Sequence, residues 1–210
     1  MADTQPSRLP LVVDLDDTLL LTDTLVEGIV DSLLRNPIGC ILAVFTLLRG
    51  RVAFKSAIFA ASEIDIDALP VRHDLLDYLT AEKDAGREIV LVTATSQSIA
   101  DQVAARFGGL FSQVHGTQKD ANLKGPRKAA YLEKLYPDGV VYAGDSSADL
   151  AVWSKSDGAI LAGLNKDNRR AVRDMGIPVE EDFEKGNGGL RAGRKAWRRN
   201  QWSFGRRGWG

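Results

Sequence analysis

A single cysteine, Cys40, and only two histidines, His73 and His115, occur in 210 residues. One thiol among apolar neighbours excludes a disulfide framework and a cysteine-rich zinc set, and makes a reducing, cytoplasmic compartment the expectation. The histidines lack partner spacing and read as surface or structural residues. No stretch reaches the roughly 18 apolar residues of a membrane span, and the first residues, Met-Ala-Asp-Thr-Gln-Pro-Ser-Arg, lack the apolar core of a secretory signal. A glycine-rich phosphate loop followed by lysine is missing, and so is any internal repeat.

The net charge of −1 hides an uneven distribution: residues 186–210 hold seven arginines or lysines and no acid, which leaves about −8 on everything before them. An acidic body carries a basic, tryptophan-containing tail, 184–210, which reads as a solvated, flexible segment. Its arginine and tryptophan mixture also suits an anionic membrane surface. The same mixture resembles a nucleic-acid-binding arm, although a nucleic-acid partner is not the expectation.

Length allows one core with an insertion. Short apolar runs alternate with helical patterns of ten to fourteen residues from about residue 86 onward, which predicts a parallel, doubly wound α/β sheet. Leu11–Val13 forms its first strand. Further strands are expected near Glu88–Thr93, Ser112–His115, Val140–Ala143, Ala159–Ala162 and Ile177–Val179. Between the first and second strands, residues 21–85 read as a helical insert. It contains an Asn36-Pro37 break, an apolar Ile38–Leu48 run and a third helical stretch over Val52–Ser62. The expected division is therefore a core of 1–20 and 86–183, a helical cap of 21–85, and the tail. The apolar run is long enough for a buried helix, a greasy groove or a membrane-facing patch, and too short to cross a bilayer.

The first strand ends in Asp14-Leu15-Asp16-Asp17-Thr18, with three carboxylates in four residues. A parallel sheet brings its strands' carboxyl ends to one edge, so Asp14, Asp16, Thr93, Asp145 and Asp149 are expected to converge. Several carboxylates in one crevice cannot share it with an anionic substrate unless a cation compensates, and carboxylate, carbonyl and water ligands suit magnesium. Asp17, Asp23, Asp65 and Asp67 read as turn and cap residues.

These residues resemble the haloacid dehalogenase superfamily of phosphatases. The first motif of that family, Asp-x-Asp-x-Thr after a strand, is matched by Asp14, Asp16 and Thr18; the second by Thr93; the third, a lysine at a helix start, by Lys124; the fourth, Gly-Asp-x-x-x-Asp, by Gly144-Asp145-Ser-Ser-Ala-Asp149. Thr95 competes with Thr93 but is expected beyond the strand, and Lys119 competes with Lys124. The resemblance implies a Rossmann-like three-layer α/β/α core with a helical cap after the first strand. It also implies a magnesium-dependent phosphomonoester hydrolase working through an aspartyl-phosphate. In it Asp14 is the nucleophile and Asp16 the acid and base, while Thr93 and Lys124 hold the phosphoryl oxygens. The metal is bound by Asp14, Asp145 and the Asp16 carbonyl, with Asp149 and Thr18 in support. A carboxylate at position 16 separates phosphoester from carbon–halogen cleavage, because only the former needs a proton on the leaving group.

The combination of Leu-Pro-Leu-Val-Val-Asp-Leu-Asp, the Asn-Pro insert, Leu-Leu-Arg-Gly-Arg, Ala-Asn-Leu-Lys-Gly and Trp197-Arg-Arg-Asn-Gln-Trp202 is similar to the phosphatase-like half of bacterial fusion proteins. In those a membrane-embedded polyprenyl transferase of the ubiquinone-biosynthesis (UbiA) type follows. The implied substrate is a small phosphate ester, with a prenyl-linked phosphate among the candidates. The implied alternative is a non-catalytic regulatory or membrane-associated partner of such a transferase, docked through the tail at the inner membrane face. The chain reads as a free-standing or truncated half of such a fusion.

Overall fold

The computed structural model describes residues 9–50, 53–54, 57–58, 65–118 and 122–184. Six strands form one parallel sheet: β1 (Leu11–Val13), β2 (Ile89–Ser96), β3 (Gln113–Thr117), β4 (Val141–Gly144), β5 (Gly158–Ala162) and β6 (Val179–Phe183), in the order β3-β2-β1-β4-β5-β6. The central strands are apolar on both faces, as strands covered by helices on both sides must be. Leu11, Val13, Leu91, Ala143 and Ile160 belong to one core, and Val12, Val90, Tyr142, Ala159 and Leu161 to the other.

Helix α3 (His73–Asp84) contributes Leu75 and Leu79 to the first core, and α4 (Gln97–Arg106) contributes Ile99 and Val103. The second core is closed by α5 (Pro126–Leu135), the short α6 (Leu150–Trp153) and α7 (Lys166–Asp174), through Leu132, Trp153 and Val172. Three α/β/α layers result, as expected.

The insert enters and leaves through a narrow neck. Leu20 and Val71 form an isolated antiparallel bridge, Leu21 N–H donates to Pro70 O at 2.8 Å, and Arg72 N–H donates to Leu19 O at 2.8 Å. Inside it, α1 (Thr24–Arg35) is capped by Asp23, and α2 (Pro37–Phe45) by Asn36 with proline in the first turn. Cys40, Ala43 and Ile58 make a small separate cluster. Packing thus divides the 21–85 segment: α1, α2 and Ile58 share their own cluster, whereas Leu69, Val71 and α3 lie in the sheet core. Residues 53–54 and 57–58 are helical, and the rest of the expected 52–62 helix lies outside the described residues, as do residues 185–210 of the tail.

Two strands differ from expectation. β2 runs on through Thr95 to Ser96, so Thr95 lies within it. β6 begins at Val179, where the expected strand ended, because its residues Glu180, Glu181 and Asp182 conceal an edge strand behind a polar spelling. Those acids find bases: Arg87 pairs with Glu180 at 2.7 Å and Arg169 with Asp182 at 2.9 Å.

Candidate active site

Strand order reverses at β1, which has β2 on one side and β4 on the other, and this is where open α/β sheets bind ligands beyond the strand ends. Register carries the expected residues there. Val13 is paired with Leu91 and with Ala143, so Asp14 follows β1 directly while Thr93 and Asp145 each lie two residues past their partners. Asp14 N–H donates to Ala143 O at 3.0 Å, extending the β1 and β4 ladder up to the acids.

After Asp14 the chain folds into one wide turn, Leu15–Leu19, closed by Leu20 N–H on Leu15 O at 2.9 Å. Asp17 occupies the left-handed region (φ 57°), a conformation more costly for aspartate than for glycine but eased for short polar side chains. Arg72 holds this turn from below: its guanidinium donates to the carbonyls of Thr18 (2.9 Å), Asp17 (3.2 Å), Ala162 (3.5 Å) and Glu184 (3.2 Å). Nothing in the spelling of residue 72 announced that role.

Ligand oxygens of Asp14, Asp145 and Asp149 lie within 4.8 Å of one another, forming an acidic group able to hold a metal ion. Burial, with Asp149 and Asp16 adding to it against the pull of Lys128, pushes the Asp14 carboxyl up to about 6. Burial, with Asp149 and Asp14 adding, takes Asp145 to about 7. Such shifts describe acids that repel one another in a poorly solvated crevice, the condition a bound cation relieves.

The supporting residues are arranged around this group. Asp149, 3% exposed, accepts from Tyr142 OH (2.7 Å), Ser146 N (3.1 Å), Ser146 Oγ (3.0 Å) and Asp145 N (3.3 Å), so both its oxygens are committed to holding the 144–149 loop. A Cβ on Gly144 would stand 2.8 Å from Asp149 Cγ and 2.8 Å from a Tyr142 ring carbon, which explains the glycine before Asp145. Thr18 Oγ1 donates to Asp145 Oδ1 at 3.3 Å. The Asp16 carboxylate accepts from Thr24 N–H at 2.8 Å, at the start of the cap helix α1. Thr93 is fully buried and accepts from Thr95 N–H at 3.0 Å, while Thr95 Oγ1 meets Thr24 Oγ1 at 2.6 Å.

The lysine at the acids is Lys128. Its Nζ stands 2.9 Å from Asp14 Oδ1 and donates to Tyr142 OH at 2.9 Å, with the side chain 2% exposed. Lys124 is exposed, in the turn before α5, and the structure does not bring it to the acids; Lys119 lies outside the described residues. The physical reason is the position of the helix start. Gly125 (φ 56°) and Pro126 set the first turn of α5, and its inward face carries Lys128, Ala129 and Leu132. That face, with a lysine at the apolar stripe, is the signal that residue order alone did not convey. Tyr142 was likewise unexpected, since it reads as one more apolar strand residue. His115 Nδ1 meets the Tyr131 hydroxyl at 2.9 Å.

Residues 11–153 match the family model of haloacid dehalogenase-like hydrolases. The chain is 38% identical over 172 residues to the uncharacterized protein y4nM of Sinorhizobium fredii (strain NBRC 101917 / NGR234), covering 82% of this chain. It spans about one third (33%) of that relative's length. Solved structures with the same fold include a protein of unknown function from Bordetella pertussis Tohama I, with a TM-score of 0.62 at 16% identity over 83% of this chain and 98% of that one. They also include a substrate-bound phosphoserine phosphatase, with a TM-score of 0.58 at 15% identity over 91% and 99%. A phospho-aspartyl intermediate analogue of phosphoserine phosphatase gives a TM-score of 0.56 at 15% identity over 91% and 99%. With strand order, acid cluster and family match in agreement, the chain belongs to the haloacid dehalogenase-like hydrolases.

Proposed function

We propose that this chain is a magnesium-dependent phosphomonoesterase that works through an aspartyl-phosphate at Asp14. The observation that carries the proposal is the clustering of Asp14, Asp145 and Asp149 beside a buried lysine. The neighbouring folds crystallised as phosphoserine phosphatase, one with a phospho-aspartyl analogue, support it.

Magnesium fits the donor set: the Asp14 and Asp145 carboxylates, with the Asp16 main-chain carbonyl, would hold it. Bound there, the ion would supply charge against the phosphoryl oxygens and lower the mutual repulsion of Asp14 and Asp145. Asp14, held by Leu15 N–H at 2.8 Å and by Lys128, attacks phosphorus as the ester P–O bond breaks. Asp16 gives its proton to the departing oxygen. In the second half-reaction Asp16 takes a proton from water as that water attacks phosphorus, breaking the Asp14–phosphorus bond and releasing inorganic phosphate. Thr93, together with Lys128 in place of Lys124, steadies the phosphoryl oxygens. The α1–α2 cap, whose first residue Thr24 is tied to Asp16 and Thr95, selects the ester and excludes water.

The substrate class is a small phosphate monoester, with a prenyl-linked phosphate as a further candidate. Hydrolysis of p-nitrophenyl phosphate that needs magnesium and is abolished in Asp14→Asn tests the reading; activity surviving that change defeats it.

A second reading makes the chain a partner module of a polyprenyl transferase. It is compatible with the match to y4nM, a longer protein of which this chain spans only 33%. Stable phosphorylation by acetyl phosphate without turnover would favour a non-catalytic regulatory module over catalysis.

A further inference from the structure

Three buried threonines, Thr24, Thr93 and Thr95, join the cap to the end of β2. Thr24 opens α1 and stands 71 positions from Thr95, yet their hydroxyl oxygens are 2.6 Å apart. Thr95 N–H donates to Thr93 Oγ1 at 3.0 Å, and Thr24 N–H donates to Asp16 Oδ1 at 2.8 Å. A polar route therefore leads from the strand that carries Thr93, through the first residue of the cap helix, to the carboxyl assigned above as acid and base.

The amino end of α1 decides where that carboxyl stands. The first N–H groups of a helix have no partner inside it. Asp23 accepts those of Leu25 (2.8 Å) and Val26 (3.4 Å), and Asp16 accepts that of Thr24. Asp16 is thereby bound to α1 as one of its caps, at the positive end of the helix dipole, and its carboxyl follows the first turn of the helix. The chain leaves the core through the neck at Leu20 and Leu21; beyond that neck, the Thr24–Thr95 bond ties the turn to β2.

Stability does not by itself require two hydroxyls at this contact. A buried hydroxyl pair can be exchanged for apolar groups of the same shape at little cost, whereas one hydroxyl left alone is penalised. Valine has that shape, and a strand favours β-branched residues. The contact of Thr95 to Thr93 uses the Thr95 main-chain N–H, so the Thr95 side chain is not needed for that either. What the hydroxyl pair adds is a directional bond of defined length between β2 and α1, where apolar contact is non-directional.

We infer that Thr95 is a positioning residue for the proposed hydrolysis: its hydroxyl fixes Thr24, and through the Thr24 N–H the Asp16 carboxyl, for proton transfer to the departing ester oxygen. The inference rests on the phosphatase reading.

Hydrolysis of two esters of similar shape in the presence of magnesium tests it: p-nitrophenyl phosphate, whose leaving group departs with little help from an acid, and phenyl phosphate, whose leaving group depends more on a proton. The quantity read is kcat/KM, which covers binding and the breaking of the ester bond and not the later release of phosphate. In Thr95→Val it should fall about tenfold or more for phenyl phosphate and less than about threefold for p-nitrophenyl phosphate, with Thr95→Ser restoring both. Thr24→Val should do the same, and Thr24→Val/Thr95→Val should be no worse than either single change, because the two residues act through one bond. Loss of folded protein lowers both esters alike and leaves their ratio unmoved. An unmoved ratio in Thr95→Val, as expected if Thr95 only packs or touches the phosphoryl group, overturns the inference alone, and so do single losses that multiply in the double variant. Wild-type protein that hydrolyses neither ester overturns the phosphatase reading, and this inference with it.

Discussion

Lys128 Nζ and Asp14 Oδ1 are 2.9 Å apart inside the fold, although the two residues lie on opposite sides of the helical insert. The lysine also meets Tyr142, whose hydroxyl donates to Asp149, so a continuous chain of polar contacts runs from β1 through α5 to the loop after β4. That chain fixes the acids relative to one another before any ligand arrives.

Lys128→Met should therefore lower kcat for p-nitrophenyl phosphate by on the order of a hundredfold or more, since a buried charge facing the phosphoryl group is lost. Lys124→Ala should stay within about threefold of wild type, as expected of an exposed residue. The pair of kcat values decides which lysine serves the site.

Tyr142→Phe removes one hydroxyl that both accepts from Lys128 and donates to Asp149. Both groups are buried, and a stability loss of about 1–3 kcal/mol is expected from denaturant unfolding. An unchanged midpoint would mean that water replaces the hydroxyl without cost.

Arg72→Ala should be worse for the fold. The guanidinium is 5% exposed and donates to four carbonyls that tie the Asp14–Leu20 turn to the ends of β5 and β6. The expected loss is about 3 kcal/mol, a fall in Tm of roughly 6–12 °C, accompanied by reduced turnover because the turn carries Asp14 and Asp16.

In metal-free protein the acids make stability depend on pH in a defined sense. Asp14 and Asp145 are pushed up to about 6 and about 7 from 3.8, so between about pH 4 and 7 the folded chain binds more protons than the unfolded one. Their contribution is an absence of penalty at pH 4 that becomes a full destabilisation above pH 7. Asp145→Asn should match wild type near pH 4 and melt higher at pH 8 in the presence of a chelator. Magnesium should raise wild type and leave the variant nearly unmoved.

The parallel sheet and the acid loops were legible because each rests on local spelling: an apolar run, an abrupt polar end, a glycine where Asp149 packs. Lys128 was not, because its role depends on which face of α5 turns inward, and that follows from where Gly125 and Pro126 start the helix. Arg72 and Tyr142 were hidden for the same kind of reason: each acts through contacts to residues distant in the chain, and nothing near them in order marks the function. β6 was misplaced because a strand at the sheet edge keeps polar side chains that imitate a loop.

Trapping the covalent intermediate examines the central assignment most directly. Asp16→Asn should still transfer phosphate from p-nitrophenyl phosphate, whose leaving group needs little help from an acid, but should release it slowly for want of a base. Acid-quenched Asp16→Asn protein, digested and read by mass spectrometry, should carry a phosphoryl group on the peptide containing Asp14, only when magnesium is present. Phosphate turnover that continues in Asp14→Asn, or a phosphoryl group found on any other residue, would contradict the account.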